Sequence, residues 1–134
     1  MAVMEVEKEE TRKYGIVAHE ASGTMPLKVT SVVEKPDPDK APSCWALPGR
    51  YIFENQIFAL LKDLPPGKNG EVQLTDAMTR LAESRGLLAT SFSAQRFGAG
   101  DKFGFLQANL EMGLRHPEIG TKLREFLLER SKSL

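Results

Sequence analysis

Two short runs hold residue types suited to chemistry on a polar ligand. Val32-Val33-Glu34-Lys35-Pro36 ends an apolar segment on an acid, a base and a proline. A carboxylate accepts two hydroxyl hydrogen bonds, and charged acceptors bind more strongly than neutral ones. An acid for hydroxyls beside a lysine for a phosphate suits a sugar phosphate. Taken alone, Glu-Lys-Pro also reads as a surface charge pair ahead of a loop. Adjacent side chains at a strand end leave on opposite faces, and the proline is expected to hold Lys35 to an extended backbone. The second run, Gly70-Glu71-Val72-Gln73-Leu74-Thr75-Asp76-Ala77, puts acids, an amide and a hydroxyl at the start of a helix. Thr75 and Asp76 are candidate caps, with Glu71 favourable at the positive helix end. The functional reading of the same run is that Glu71, Gln73 and Asp76 order a loop around a sugar.

Other chemistries find little support. Gly98-Ala99-Gly100-Asp101-Lys102 precedes a helix but lacks the spacing of a phosphate-binding P-loop, and a turn with a cap is the simpler reading. His19 and His116 stand far apart, with no acid spacing that makes a metal site. Cys44 has no His or base nearby and reads as a small packed residue. Trp45 beside Pro48 reads as loop packing rather than a stacking platform. No Ser-His-Asp or Cys-His arrangement can be argued, so no catalytic residue and no metal ligand is assigned.

The elements that must position these residues follow from period and punctuation. Strands are expected at Tyr14–Ala18, Leu27–Val33, Gly49–Phe53 and Leu87–Phe92. Ala21-Ser22-Gly23 is a turn signal, and Pro36, Pro38 and Pro42 make residues 36–44 a stiff loop. Helices are expected over 55–63, with Asn55 as N-cap, and from Leu74 to a stop at Gly86. A third runs from an Asp101 cap to Pro117, and a fourth starts at Thr121. The charged residues 1–13 read as a solvated arm or short helix. The order predicts an α/β class: a small mixed sheet of about four strands with exposed edges, and four or five helices.

The 134 residues suggest one domain, 1–134. Lys+Arg and Asp+Glu are both 18, so bulk charge predicts neither nucleic-acid nor membrane attraction and does not oppose self-association. One cysteine fits a reducing cytoplasm. No apolar run is long enough for a membrane span, and the acidic start does not resemble a signal peptide.

In combination the motifs are more specific. Tyr14-Gly15-Ile16-Val17, Val32 to Pro36, Ala41-Pro42-Ser43, Gly49-Arg50-Tyr51, Pro65-Pro66-Gly67, Gly70 to Ala77 and Gly113-Leu114-Arg115-His116-Pro117 occur in one order. That order resembles the second half of the bacterial UTP–glucose-1-phosphate uridylyltransferases, within the sugar-1-phosphate nucleotidyltransferases, from about Ala2 to about Leu128. The resemblance implies the C-terminal half of a Rossmann-like nucleotidyltransferase fold. It implies that Gly15 brings its backbone to glucose, Glu34 binds sugar hydroxyls, Lys35 binds the sugar phosphate and Gly49 lies close to the sugar. The implied reaction is in-line attack of glucose-1-phosphate on the α-phosphate of UTP, with Mg²⁺ and release of pyrophosphate.

The sequence also departs from that family. No counterpart of its glycine-rich nucleotide loop or of its principal magnesium aspartate occurs here, since both belong to the other half. Gly98 stands where an Asp is expected, and Cys44 and Trp45 replace an Asn and an aliphatic residue. The expectation is therefore a uridylyltransferase-like chain without the nucleotide-binding half. It would be inactive alone and would at most bind sugar phosphate or UDP-glucose, with no cofactor of its own. The alternative is a non-catalytic, self-associating module from a truncated gene, most simply a homodimer with Phe126 and Leu127 as contacts. A third reading has a second chain supply the missing half.

Overall fold

Apolar residues two apart in four short segments, and three or four apart in four longer ones, set the architecture of the computed structural model, which describes residues 1–21, 24–67 and 70–133. The strands are β1 Ala2–Glu5, β2 Gly15–His19, β3 Leu27–Glu34, β4 Trp45–Ala46 and β5 Leu87–Ser91. The helices are α1 Gln56–Lys62, α2 Leu74–Arg85, α3 Lys102–Arg115 and α4 Gly120–Ser131, with short 3-10 turns at Lys8–Lys13 and Pro38–Lys40. The chain divides into two compact units, Met1–Ser93 and Ala94–Leu134. Among the described residues no helix is long and apolar enough to cross a membrane.

The α/β class holds, but the sheet is not the open four-stranded one expected. Five strands close into a barrel in the order β1-β4-β2-β3-β5, with β5 returning to pair with β1. The β1–β5 pairing is parallel and the other four are antiparallel. Closure removes the free edges that a narrow sheet would expose.

Two corrections account for the difference. The charged arm contains a strand, because Met4 pairs with Ala46 and Ala2 pairs with Thr90. Conversely, residues 49–53 are not a strand: Ile52 is 92% exposed, whereas Tyr51 and Phe53 stack on each other at 5.5 Å and pack on the core. Ring packing takes the place of a ladder there. The turn expected at Ala21-Ser22-Gly23 lies partly outside the described residues, which omit Ser22 and Gly23.

The core of the first unit is formed by Val3, Val17, Leu27, Val29 and Val32 from the barrel, Ile57 from α1, and Ala77, Met78 and Leu81 from α2. Helix α2 packs on β3 and on α1. Its stripe at 77, 78 and 81 is the helical period that buries one face. Thr79 fastens it to the barrel: its Oγ1 accepts the Val32 N–H at 2.9 Å and lies 3.3 Å from the Val32 carbonyl. In the second unit, Asp101 caps α3 as expected, its carboxylate accepting the Gly104 N–H at 2.8 Å. The other expected caps do not act through side chains. Asn55 stands at the N-cap of α1 without a capping bond. Gln73 and Ile119, rather than Thr75 and Thr121, occupy the N-caps of α2 and α4.

Candidate sugar-phosphate site

The end of β3 and the start of α2 face each other across a cavity of about 550 Å³, within the roughly 300–1,000 Å³ common for ligand sites. Val32, Val33, Glu34 and Lys35 line one side, and Gly67, Glu71, Gln73 and Asp76 the other. The two runs singled out by residue type thus form one site.

A bulge aims Glu34. Ala18 pairs with Ser31 but His19 pairs with Val29, leaving Thr30 as an extra residue on β3. Up to that point the buried residues are Leu27 and Val29; beyond it the phase has slipped and Val32 is buried. One inserted residue exchanges the two faces of a strand. Glu34 therefore shares the side of Val32, which Thr79 binds to α2, and emerges at the N-terminal end of that helix.

Lys35 is not extended as expected. Its φ is +44°, in the left-handed region that non-glycine residues rarely adopt. Its N–H is held by the Tyr14 carbonyl at 3.0 Å, the last bond between β2 and β3, so the chain must turn within one residue to reach Pro36. Such a conformation costs on the order of 1–3 kcal/mol and persists only where surrounding bonds impose it. The turn also overrides the opposite-face rule: Lys35 and Glu34 both line the cavity, with Nζ 3.7 Å from Glu34 Oε1.

Gly15 lies opposite Glu34 in the β2–β3 ladder, and its carbonyl accepts the Leu47 N–H at 2.9 Å. A Cβ there would sit 3.0 Å from Thr75 Cγ2, 3.2 Å from Leu47 Cδ1 and 3.3 Å from Glu34 Oε2. Only glycine leaves the carboxylate its place. Gly49 does not line the cavity; with φ +89° it shapes the turn before Tyr51, and its backbone hydrogen-bonds the Tyr51 phenol. Burial, and then the charge of Glu34, raises the pKa of Tyr51 above its usual 10.0, against the Gly49 hydrogen bond. Tyr51 is thus a protonated hydroxyl near Glu34 that no reading of residue types alone had selected; its place in Gly49-Arg50-Tyr51 was the only signal.

Three carboxylates, an amide and one ammonium around the cavity suit a ligand rich in hydroxyls with a single anionic group near Lys35. Cys44 and Trp45 do not line it, and Gly98 belongs to the second unit. Among the described residues no three His, Cys, Asp or Glu side chains are grouped so as to hold a metal ion, so no step is assigned to Mg²⁺ bound by this chain's own residues.

Residues 1–101 match the family model described as nucleotidyl transferase. The chain is 39% identical over its whole length to UTP–glucose-1-phosphate uridylyltransferase 2 of Streptococcus pyogenes serotype M3, covering 45% of that protein. It is 38% identical to a UTP–glucose-1-phosphate uridylyltransferase of Streptococcus pneumoniae, again over 45% of its length. Among solved structures, a UTP-bound UGPase from Acinetobacter baumannii superposes with a TM-score of 0.83 at 34% identity, over 96% of this chain and 44% of that one. A UDP-glucose pyrophosphorylase complexed with UDP-glucose superposes with a TM-score of 0.78 at 35% identity, over 86% and 44%. The chain spans about half the length of the curated relatives it matches.

Proposed function

This chain belongs to the nucleotidyl transferase family, and on that premise we propose that its cavity holds the sugar and phosphate of glucose-1-phosphate or UDP-glucose. Glu34 accepts sugar hydroxyls, Lys35 meets the phosphate, and Gly15 leaves room for the Glu34 carboxylate. Glu71, Gln73 and Asp76 close the far side, and Gly49 acts through its turn and Tyr51. The observation that carries this reading is the convergence of Glu34, Lys35, Glu71, Gln73 and Asp76 on one cavity. Relatives about twice as long are named for the uridylyl transfer. We therefore assign it the sugar-binding part and no transfer activity alone.

Isothermal titration with UDP-glucose and glucose-1-phosphate tests the reading. Saturable heat that disappears in Glu34→Gln is expected; absence of heat at millimolar ligand with the fold intact would sink it. Pyrophosphate release from UTP, glucose-1-phosphate and Mg²⁺ is expected to stay at background, and turnover would overturn the non-catalytic assignment.

A second reading, self-association, is favoured by the second unit: of the two expected contacts on α4, Phe126 is 59% exposed and Leu127 is partly exposed. Exposed apolar side chains mark contact surfaces. Light scattering at micromolar concentration is expected to report a dimer; a stable monomer would remove this reading.

A further inference from the structure

Among the described residues, Thr75 Oγ1 is the one buried side-chain oxygen or nitrogen without a hydrogen-bond partner, in a residue only 6% exposed. Unpaired buried hydroxyls are rare and destabilising, and valine would fill the same space without the penalty. A threonine in a helix commonly turns its hydroxyl back to the carbonyl four residues earlier. Thr79 does so, lying 3.1 Å from the Thr75 carbonyl. Thr75 does not: it stands in the first turn of α2, which starts at Leu74, so the residue four earlier, Glu71, lies outside the helix.

The position of Thr75 suggests where its partner lies. It stands between Gln73 and Asp76, which line the cavity. Its methyl and the Glu34 carboxylate both lie close to one point, the place where Gly15 has no side chain, at 3.0 and 3.3 Å. One staggered step about χ1 brings the hydroxyl to the position the methyl now holds. We infer that Thr75 is a positioning residue: with a sugar in the cavity its hydroxyl turns across the bare face of Gly15 toward Glu34 and fixes that carboxylate as a hydroxyl acceptor. The inference rests on the sugar-binding reading above. It gives Gly15 a second reason to be glycine, since any side chain would separate the two groups.

Thr75→Val and Thr75→Ser in the full chain, measured by thermal melting and by titration with UDP-glucose, test it. Valine removes only the hydroxyl, so Tm is expected to hold or rise while affinity falls about tenfold, the worth of one hydrogen bond to a charged group. Serine keeps the hydroxyl and loses the methyl against Gly15, so affinity is expected within about twofold of wild type while Tm drops by about 2–4 °C or more. A wild-type chain that binds while Thr75→Val binds equally well overturns the inference and leaves the sugar reading standing. A Thr75→Val protein that melts lower or fails to fold overturns it too, by showing a structural hydroxyl. If the wild type itself binds no UDP-glucose, the sugar reading and this inference fall together.

Discussion

The two compact units bury their surfaces by different means. Every buried apolar side chain among the described residues lies in the first unit, from Val3 to Ala89. In the second, only Gly104 and Gly120 are buried, while Phe103, Phe105, Leu106, Met112, Phe126 and Leu128 are all more than half exposed. Helices α3 and α4 meet on glycine: a Cβ on Gly113 would lie 2.7 Å from Leu123 Cδ2, and one on Gly120 2.5 Å from the Leu114 carbonyl. The first unit is closed by side chains and can hold a shaped cavity. The second is closed by close backbone approach and leaves its apolar side chains facing outward, an arrangement that favours assembly.

The sharpest way to break this contrast is a pair of substitutions. Met78→Ala, at a fully buried site, is expected to cost about 2–5 kcal/mol in urea unfolding. Phe126→Glu on α4 is expected to change stability by no more than about 0.5 kcal/mol, yet to leave a monomer in light scattering where the self-association reading expects a dimer of the wild type. Equal stability losses would erase the distinction between the units. Gly15→Ala should have a smaller but more local effect: about 1–3 kcal/mol from overpacking against Thr75, Leu47 and Glu34, with UDP-glucose affinity lost alongside. The smallest effect concerns pH. The Tyr51 pKa is raised in the folded state, so its neutral phenol contributes stability that is full below pH 10.0 and is lost as pH rises through the raised value. Glu34→Gln removes one cause of that rise, and absorbance titration of phenolate is expected to show Tyr51 ionising at lower pH than in the wild type.

Much of this was legible in the residues. Four helices followed from stripes such as Leu74, Ala77, Met78 and Leu81, and their ends from Gly86 and Pro117. Glu34, Lys35, Gln73 and Asp76 were marked by type, and the cavity brings them together. What escaped depends on distant partners. β1 is hidden among charges because its ladder bonds go to residues about 45 and 90. β4, at two residues, is too short to show a period. The Thr30 bulge that aims Glu34 leaves no mark in composition, since its evidence is a register between two strands. The turn at Lys35 contradicts the local rule for a residue before proline because the bond to Tyr14 overrides it.

The closed barrel also imposes an order in time. Its closing strand, β1, is made first, yet its parallel partner, β5, is made only after residue 86. At about 5–20 residues per second of synthesis, Ala2–Glu5 waits on the order of seconds with one ladder face empty. Pairings this distant in sequence form slowly, and an unpaired strand is a template for a neighbouring chain. The charges that conceal the strand, Glu5, Glu7, Lys8, Glu9 and Glu10, stand beside that waiting edge. Charged residues flanking an exposed edge disfavour its pairing with a neighbouring chain, so the run that makes β1 hard to read also guards it until β5 arrives.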